Sequence, residues 1–167
     1  YSCQSIKTST LFLEKGIWLG IAAIGFAILF NVPRRALLSI FIIGALGGLT
    51  KFLMLEYKIG IVLAVLCGAS LIGFLSVFAA HRRNCPPITF AIPAVIPMIP
   101  GLFAYKAMIG IIKLTSEKDP VAYSKIFFEA VNNGLTTFFV LVVLATGVAI
   151  PLLITRKNTV KRIKTEE

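Results

Sequence analysis

Two lysines in this chain fall inside long apolar runs, where an ammonium costs several kcal/mol unless it reaches water, a partner or an anion. Lys51 lies close enough to one end of its run to be read as snorkelling to the outer interface. Lys106 sits deep in residues 88–112, ITFAIPAVIPMIPGLFAYKAMIGII, directly after Tyr105 and a little over one turn beyond Gly101. The same segment carries Pro93, Pro97 and Pro100. Each proline removes a backbone N–H and frees the carbonyl four residues earlier, so the carbonyls of Thr89, Pro93 and Ile96 lose their ordinary helical partners. A broken helix at membrane depth is tolerated only where it is buried in protein or lines a wet cavity. The chemistry such a segment offers is binding. A helix restarting at Gly101 points its N-terminal N–H groups and positive dipole end at the break, which suits a carboxylate. Tyr105 and Lys106 would add a hydroxyl and a charge one turn further on. Pro97, Pro100, Gly101, Tyr105 and Lys106 are therefore the candidate substrate-binding residues.

Bond-making chemistry finds little footing. The sole histidine, His81, stands beside Arg82 and Arg83 at the end of an apolar run and reads as an interfacial charge. No cluster of Cys, His and carboxylates has metal-ligand spacing, and no Ser/His/Asp set or phosphate-cradling glycine loop occurs. The acidic residues, Glu14, Glu56, Asp119 and Glu129 among them, map to ends or loops, so none is placed as an intramembrane proton carrier. The expectation is a protein that is not an enzyme and needs neither metal nor cofactor.

The elements that must position these residues are membrane helices. Of 167 residues, 57% are hydrophobic and 14% charged, with a mean hydropathy of +0.91. A soluble domain of this length would not be so apolar. The pattern predicts an all-α integral membrane protein with five transmembrane helices, at about residues 12–30, 36–55, 59–80, 88–112 and 132–154, the fourth broken by Pro and Gly. The net charge of +10 sits at helix ends instead of forming a nucleic-acid face. Arg34 and Arg35 follow the first run, His81, Arg82 and Arg83 the third, and Arg156, Lys157, Lys161, Arg162 and Lys164 the fifth. By the positive-inside rule these three segments are cytoplasmic, which places the N-terminus outside and makes residues 156–167 a basic cytoplasmic tail. That tail can also attract anionic membrane lipid.

Local signals refine this plan. Gly44 and Gly48 form a GxxxG pair reinforced by Gly47, and Gly16 with Gly20 and Ala69 with Gly73 repeat the small-residue spacing that lets helices approach in lipid. Asp119 followed by Pro120 marks a helix start, with Asp at the N-cap and Pro at N1. From there a helix is expected to run along the outer interface through Ile126, Phe127 and Phe128 into the fifth span. The first apolar run lacks an A-x-A-like cleavage site and reads as a transmembrane helix, not a removed signal peptide. Cys3, Cys67 and Cys85 fall in the outer tail, mid-helix and an inner loop, so they are expected to be free thiols.

Three stretches carry a family resemblance: GFAILFNVPRRAL at 25–37, GALGG at 44–48, and above all PAVIPMIPGLFAYKAM at 93–108, with its P-x-x-x-P-x-x-P-G-x-x-x-Y arrangement. Together they resemble the small subunit of the threonine/serine exporter family, which corresponds to the C-terminal half of the longer single-chain exporters. The resemblance implies a bacterial inner-membrane protein for secondary export of small amino acids such as threonine and serine, or of dicarboxylates such as succinate in split members. It also implies a larger membrane subunit as partner. With five spans in each half, the two halves would insert in opposite orientations, as in an inverted-topology repeat. The broken span and the GALGG face are then expected to lie toward that partner or a second copy. A non-transporting scaffold and a channel are the alternative functions, and a homo-oligomer the alternative assembly.

Overall fold

The computed structural model describes the backbone of residues 2–83, 85–116 and 119–163, and the side chains of 14–83, 85–116 and 119–155. Cys3, Glu117, Lys118 and the basic side chains from Arg156 onward lie outside the described side chains. Among the described residues six α-helices follow one another: α1 (Ser2–Leu29), α2 (Arg34–Glu56), α3 (Ile61–Arg83), α4 (Ile88–Val95), α5 (Gly101–Leu114) and α6 (Pro120–Ile163), with a 3-10 turn at Ile96–Met98 between α4 and α5. Among the described residues there is no strand.

Three helices are long and apolar enough to cross a membrane: Arg34–Glu56, Ile61–Arg83 and Pro120–Thr155. A fourth span results if Ile88–Met98 and Gly101–Leu114, bent by 53° at the break, are taken together. These are counts among the described residues.

The turns joining the first three helices follow from backbone chemistry. Asn31 and Lys58 adopt positive φ of 54° and 56°, and each ends its helix in a Schellman motif. Val32 N donates to Ala27 O and Asn31 N to Ile28 O, while Ile59 N donates to Met54 O and Lys58 N to Leu55 O. These bonds satisfy carbonyls that the helix ends would otherwise leave open. They also reverse the chain in few residues, so α1, α2 and α3 pack antiparallel.

Small residues set the helix spacing. A side chain at Gly16 would meet Leu49, one at Gly48 would meet Leu19, and one at Gly44 would meet Ala23 of α1 and come within 3.8 Å of the Ala94 backbone in α4. Gly47 faces Ile72 and the Gly68 carbonyl of α3. The GALGG stripe is thus consumed by contacts inside the chain, and the expectation that it faces a partner does not hold. α4 wedges into the same bundle, against α1, α2 and α3, with Phe90, Ala91, Pro93 and Ala94 buried. The core around it contains Ile40, Val65, Ile72, Met98 and Val140.

The last helix departs from a simple span. Asp119 caps it as expected: its Oδ1 accepts from Val121 N at 3.2 Å, and Pro120 is the first helical residue. The helix then runs 44 residues without interruption, roughly 66 Å at 1.5 Å per residue, about twice a bilayer's hydrocarbon thickness. Gly147 packs on Ala69 and Pro151 on Gly73, so α3 and α6 run parallel. In that register Ile61 lies level with Phe139, and residues 120–138 continue past the end of α3 for roughly 28 Å. This extension pairs with α5, which packs principally on α6.

Candidate functional site

The break in the fourth helical segment is built from three prolines used in three ways. Pro93 lies inside α4 and is buried. Pro97 falls in the first positions of the 3-10 turn, where a missing N–H costs little. The tighter turn restores a partner to the Ile96 carbonyl, which accepts from Ile99 N at 3.0 Å. That carbonyl, expected to be orphaned, is therefore satisfied. Pro100 has φ −80° and ψ 58°, the geometry of an inverse γ-turn, and Gly101 N donates across it to Ile99 O at 2.9 Å. The chain re-enters a helix at Gly101, where Phe103 N and Ala104 N both donate to Pro100 O.

The Met98 carbonyl is satisfied from another helix. A continuous helix would offer it the Leu102 N–H, but the γ-turn redirects the chain. Lys51 Nζ donates to it at 3.3 Å. The approach depends on glycine: a methyl at Gly68 would lie 2.6 Å from Met98 Cε and 2.8 Å from Gly47 O, so any side chain there would hold α2, α3 and the 3-10 turn apart. Lys51 stands one turn beyond Gly47 on α2. The sequence marked Lys51 as an interfacial lysine, and the signal that would have placed it here is the break itself, which leaves carbonyls in need of a donor.

The five candidate binding residues are not gathered into one pocket. Pro97 is half-buried and Pro100 buried, while Gly101 is exposed with open space where a side chain would be. Tyr105 is 63% exposed and Lys106 is also exposed. Neither belongs to the α5–α6 seam, which is formed by Ala107 against Gly134 and Gly110 against Ala130. Large apolar side chains, among them Met108, Ile111, Phe128 and Leu135, are exposed on this helical hairpin. The fourth segment is thus divided: α4 is enclosed by this chain's own helices, and α5 is the half left uncovered.

A separate cleft of about 710 Å³ lies at the basic end of the bundle, lined by residues including His81, Cys85, Pro87, Leu152 and Thr155. It is roughly the length of α4, about 12 Å, or more from the break. His81 Nδ1 lies 3.0 Å from the Val77 carbonyl, Arg82 stacks on Phe78 at 5.2 Å, and Arg83 donates to the Arg35 carbonyl. The last of these ties the basic end of α3 to the first turn of α2; the other two lie within α3. Ser76, fully buried on α3, has no hydrogen-bond partner for its hydroxyl among the described residues. No group of three or more His, Cys, Asp or Glu among the described residues is arranged to hold a metal ion.

Comparison with known proteins places this architecture. Residues 15–154 match the family described as "Threonine/Serine exporter, ThrE". The chain belongs to the threonine/serine exporter family. The match takes in α2 to α5 whole, most of the described part of α1 and the apolar length of α6. A relative from Haemophilus influenzae (strain ATCC 51907 / DSM 11121 / KW20 / Rd), described as an uncharacterized protein, is 38% identical over 136 residues, which are 81% of this chain and 44% of that protein. The chain therefore spans about half the length of that relative. No solved structure matches it. Membership in an exporter family together with its apolar helices makes the chain a multi-pass membrane protein.

Proposed function

We propose that this chain is the small subunit of a secondary exporter of small carboxylate-bearing metabolites, threonine and serine or a dicarboxylate such as succinate. The observation that carries the reading is the break at Ile99–Pro100 in an apolar segment of an exporter-family chain. Irregular backbone at membrane depth is where transporters bind substrate, because its polar groups face protein or water instead of lipid. Pro97 and Pro100 shape the break, Gly101 leaves open space beside it, and Tyr105 and Lys106 lie one turn along α5. The role is transport, not catalysis.

The reading extends to topology and partner. Five spans, with α1 the first and the bent pair the fourth, put the amino end outside and the basic end inside, in the bacterial inner membrane. The larger subunit is the counterpart of the other half of the longer relative. It would cover the exposed apolar faces of α5 and residues 120–138, which this chain's own bundle leaves bare. Two copies of this chain inserted the same way cannot form an inverted pair, which favours a hetero-complex.

The test is counterflow of labelled threonine, serine and succinate in proteoliposomes, with and without the larger subunit. Accumulation driven by exchange, seen only with both subunits, supports the reading. A scaffold gives none, and a channel dissipates the gradient.

A further inference from the structure

Lys51 brings a charge to the break from a neighbouring helix. Its ammonium has three donors, and the Met98 carbonyl at 3.3 Å is its one hydrogen-bond partner among the described residues. No carboxylate pairs with it there, and the side chain is half-buried. Snorkelling does not describe this arrangement. Lys51 stands five residues before the end of α2 at Glu56, within reach of that end, yet its Nζ turns sideways to the 3-10 turn.

A cation held in an apolar helix with a single neutral partner is electrostatically incomplete. A carbonyl oxygen satisfies one donor and leaves the net charge uncompensated, whereas an anion would answer both. Capping Met98 O needs only a neutral donor, so capping alone does not account for a full charge. Lys106, by contrast, is exposed.

We propose that Lys51 is the counter-charge that receives the substrate's carboxylate at the break. The inference rests on the break being the substrate site. With the site empty the ammonium is parked on the Met98 carbonyl; an arriving carboxylate takes its place in a charge-assisted bond, and Met98 O is released. Substrate binding is thereby coupled to the 3-10 turn that Lys51 holds. The ligand class follows from the chemistry: a small molecule bearing at least one carboxylate, with its amide analogue excluded.

The experiment uses the chain reconstituted with its larger subunit and compares counterflow of threonine, serine and succinate with that of threoninamide, which lacks the carboxylate. Wild type should carry the carboxylates and discriminate against the amide. Lys51→Gln keeps a donor for Met98 O but no charge, and should lose carboxylate transport by about a hundredfold, the usual scale for truncating one partner of a buried charge pair. Lys51→Arg should retain transport and selectivity in part, and Lys113→Met, in the last turn of α5 and outside the candidate site, should stay within about threefold of wild type, as an exposed lysine does. A Lys51→Gln complex that transports within about threefold of wild type overturns the inference and leaves the exporter reading standing. If Lys51→Gln does not assemble, Lys51→Arg decides: transport that keeps the carboxylate preference supports the role, and transport that accepts threoninamide equally overturns it. Wild type that carries none of the three carboxylates overturns both the inference and the reading beneath it.

Discussion

Gly47 and Gly68 meet almost backbone to backbone where α2 crosses α3, so that a methyl placed on Gly68 would lie 2.8 Å from the Gly47 carbonyl oxygen. The contact is also the floor beneath Met98, whose methyl would be struck by the same substitution at 2.6 Å. One pair of glycines therefore fixes both the helix crossing and the position of the break.

Gly68→Ala should destabilise the folded chain by about 1–3 kcal/mol, the usual cost of overpacking a close contact. Gly25, also in a helix, has open space where its side chain would be, and Gly25→Ala should be neutral or stabilising by up to about 1 kcal/mol. Thermal unfolding of the purified chain in detergent distinguishes the two. Equal melting temperatures for both variants would mean that the α2–α3 crossing is looser than described.

Gly101 begins α5 without a positive φ and with nothing within 4 Å of a built Cβ. Its backbone does not demand glycine. Gly101→Ala and Gly101→Leu should therefore both insert and fold, and any loss of transport reports on the space beside the break. The expected outcome is that Gly101→Leu abolishes counterflow and leaves the yield of folded protein unchanged. A Gly101→Leu protein that transports normally would show that substrate does not pass this point.

Much of the architecture was legible because it rests on local chemistry. Apolar runs bounded by Arg34, Arg35, Arg82 and Arg83 mark helices whose ends must stay wet, and Pro97, Pro100 and Gly101 mark a break whatever surrounds them. Asp119 before Pro120 announced the start of α6 for the same reason. What stayed hidden depends on which helix lies beside which. The GALGG stripe reads identically whether it meets Leu19 and Ile72 of the same chain or a partner, since glycine spacing carries no address. Likewise Lys51 is 47 residues from Met98, and no local pattern joins them. The length of α6 was legible from the signal at Asp119 and Pro120: the helix expected from Pro120 through Ile126, Phe127 and Phe128 into the fifth span is one continuous element, although Lys125 and Glu129 lower the hydropathy of its first turns.

Removing the Asp119 side chain should fray the start of α6. Asp119→Ala loses the acceptor for Val121 N and should cost about 1 kcal/mol, while Asp119→Asn should cost little because the amide oxygen can still accept. Hydrogen exchange at residues 121–124 is the sensitive readout, and it should quicken only in the alanine variant. Unchanged protection in Asp119→Ala would mean that the helix start is held by packing on α5 alone.

Orientation can be read from the native thiols. Cys85 lies half-buried beside the basic ends of α2 and α3, which the proposed topology puts inside, and Cys3 stands at the start of α1, which the same topology puts outside. In intact cells a membrane-impermeant maleimide should label a variant keeping only Cys3 and spare one keeping only Cys85 until the membrane is permeabilised. The opposite pattern would invert the topology and, with it, the direction in which the break is approached.

The pairing of α5 with the first half of α6 is open to a geometric test. A Cβ built on Gly134 lies 3.9 Å from the Ala107 Cβ, close to the mean of about 3.8 Å found across disulfides. Ala107→Cys with Gly134→Cys, in a chain whose Cys3, Cys67 and Cys85 are replaced by serine, should therefore crosslink readily under mild oxidation. Tyr105→Cys with Gly134→Cys should not, because Tyr105 stands two residues away, on the exposed face of α5. The crosslink closes a short loop through residues 108–133, so it appears on a gel as a small mobility shift abolished by reductant. If α5 instead folded back over α4 as a re-entrant loop, Ala107 would leave the α6 seam and the Ala107–Gly134 pair would stay reduced. Crosslinking that also blocks counterflow, reversed by reductant, would show that α5 must move against α6 during transport, whereas unaffected counterflow would identify the hairpin as a rigid arm for the partner to grip.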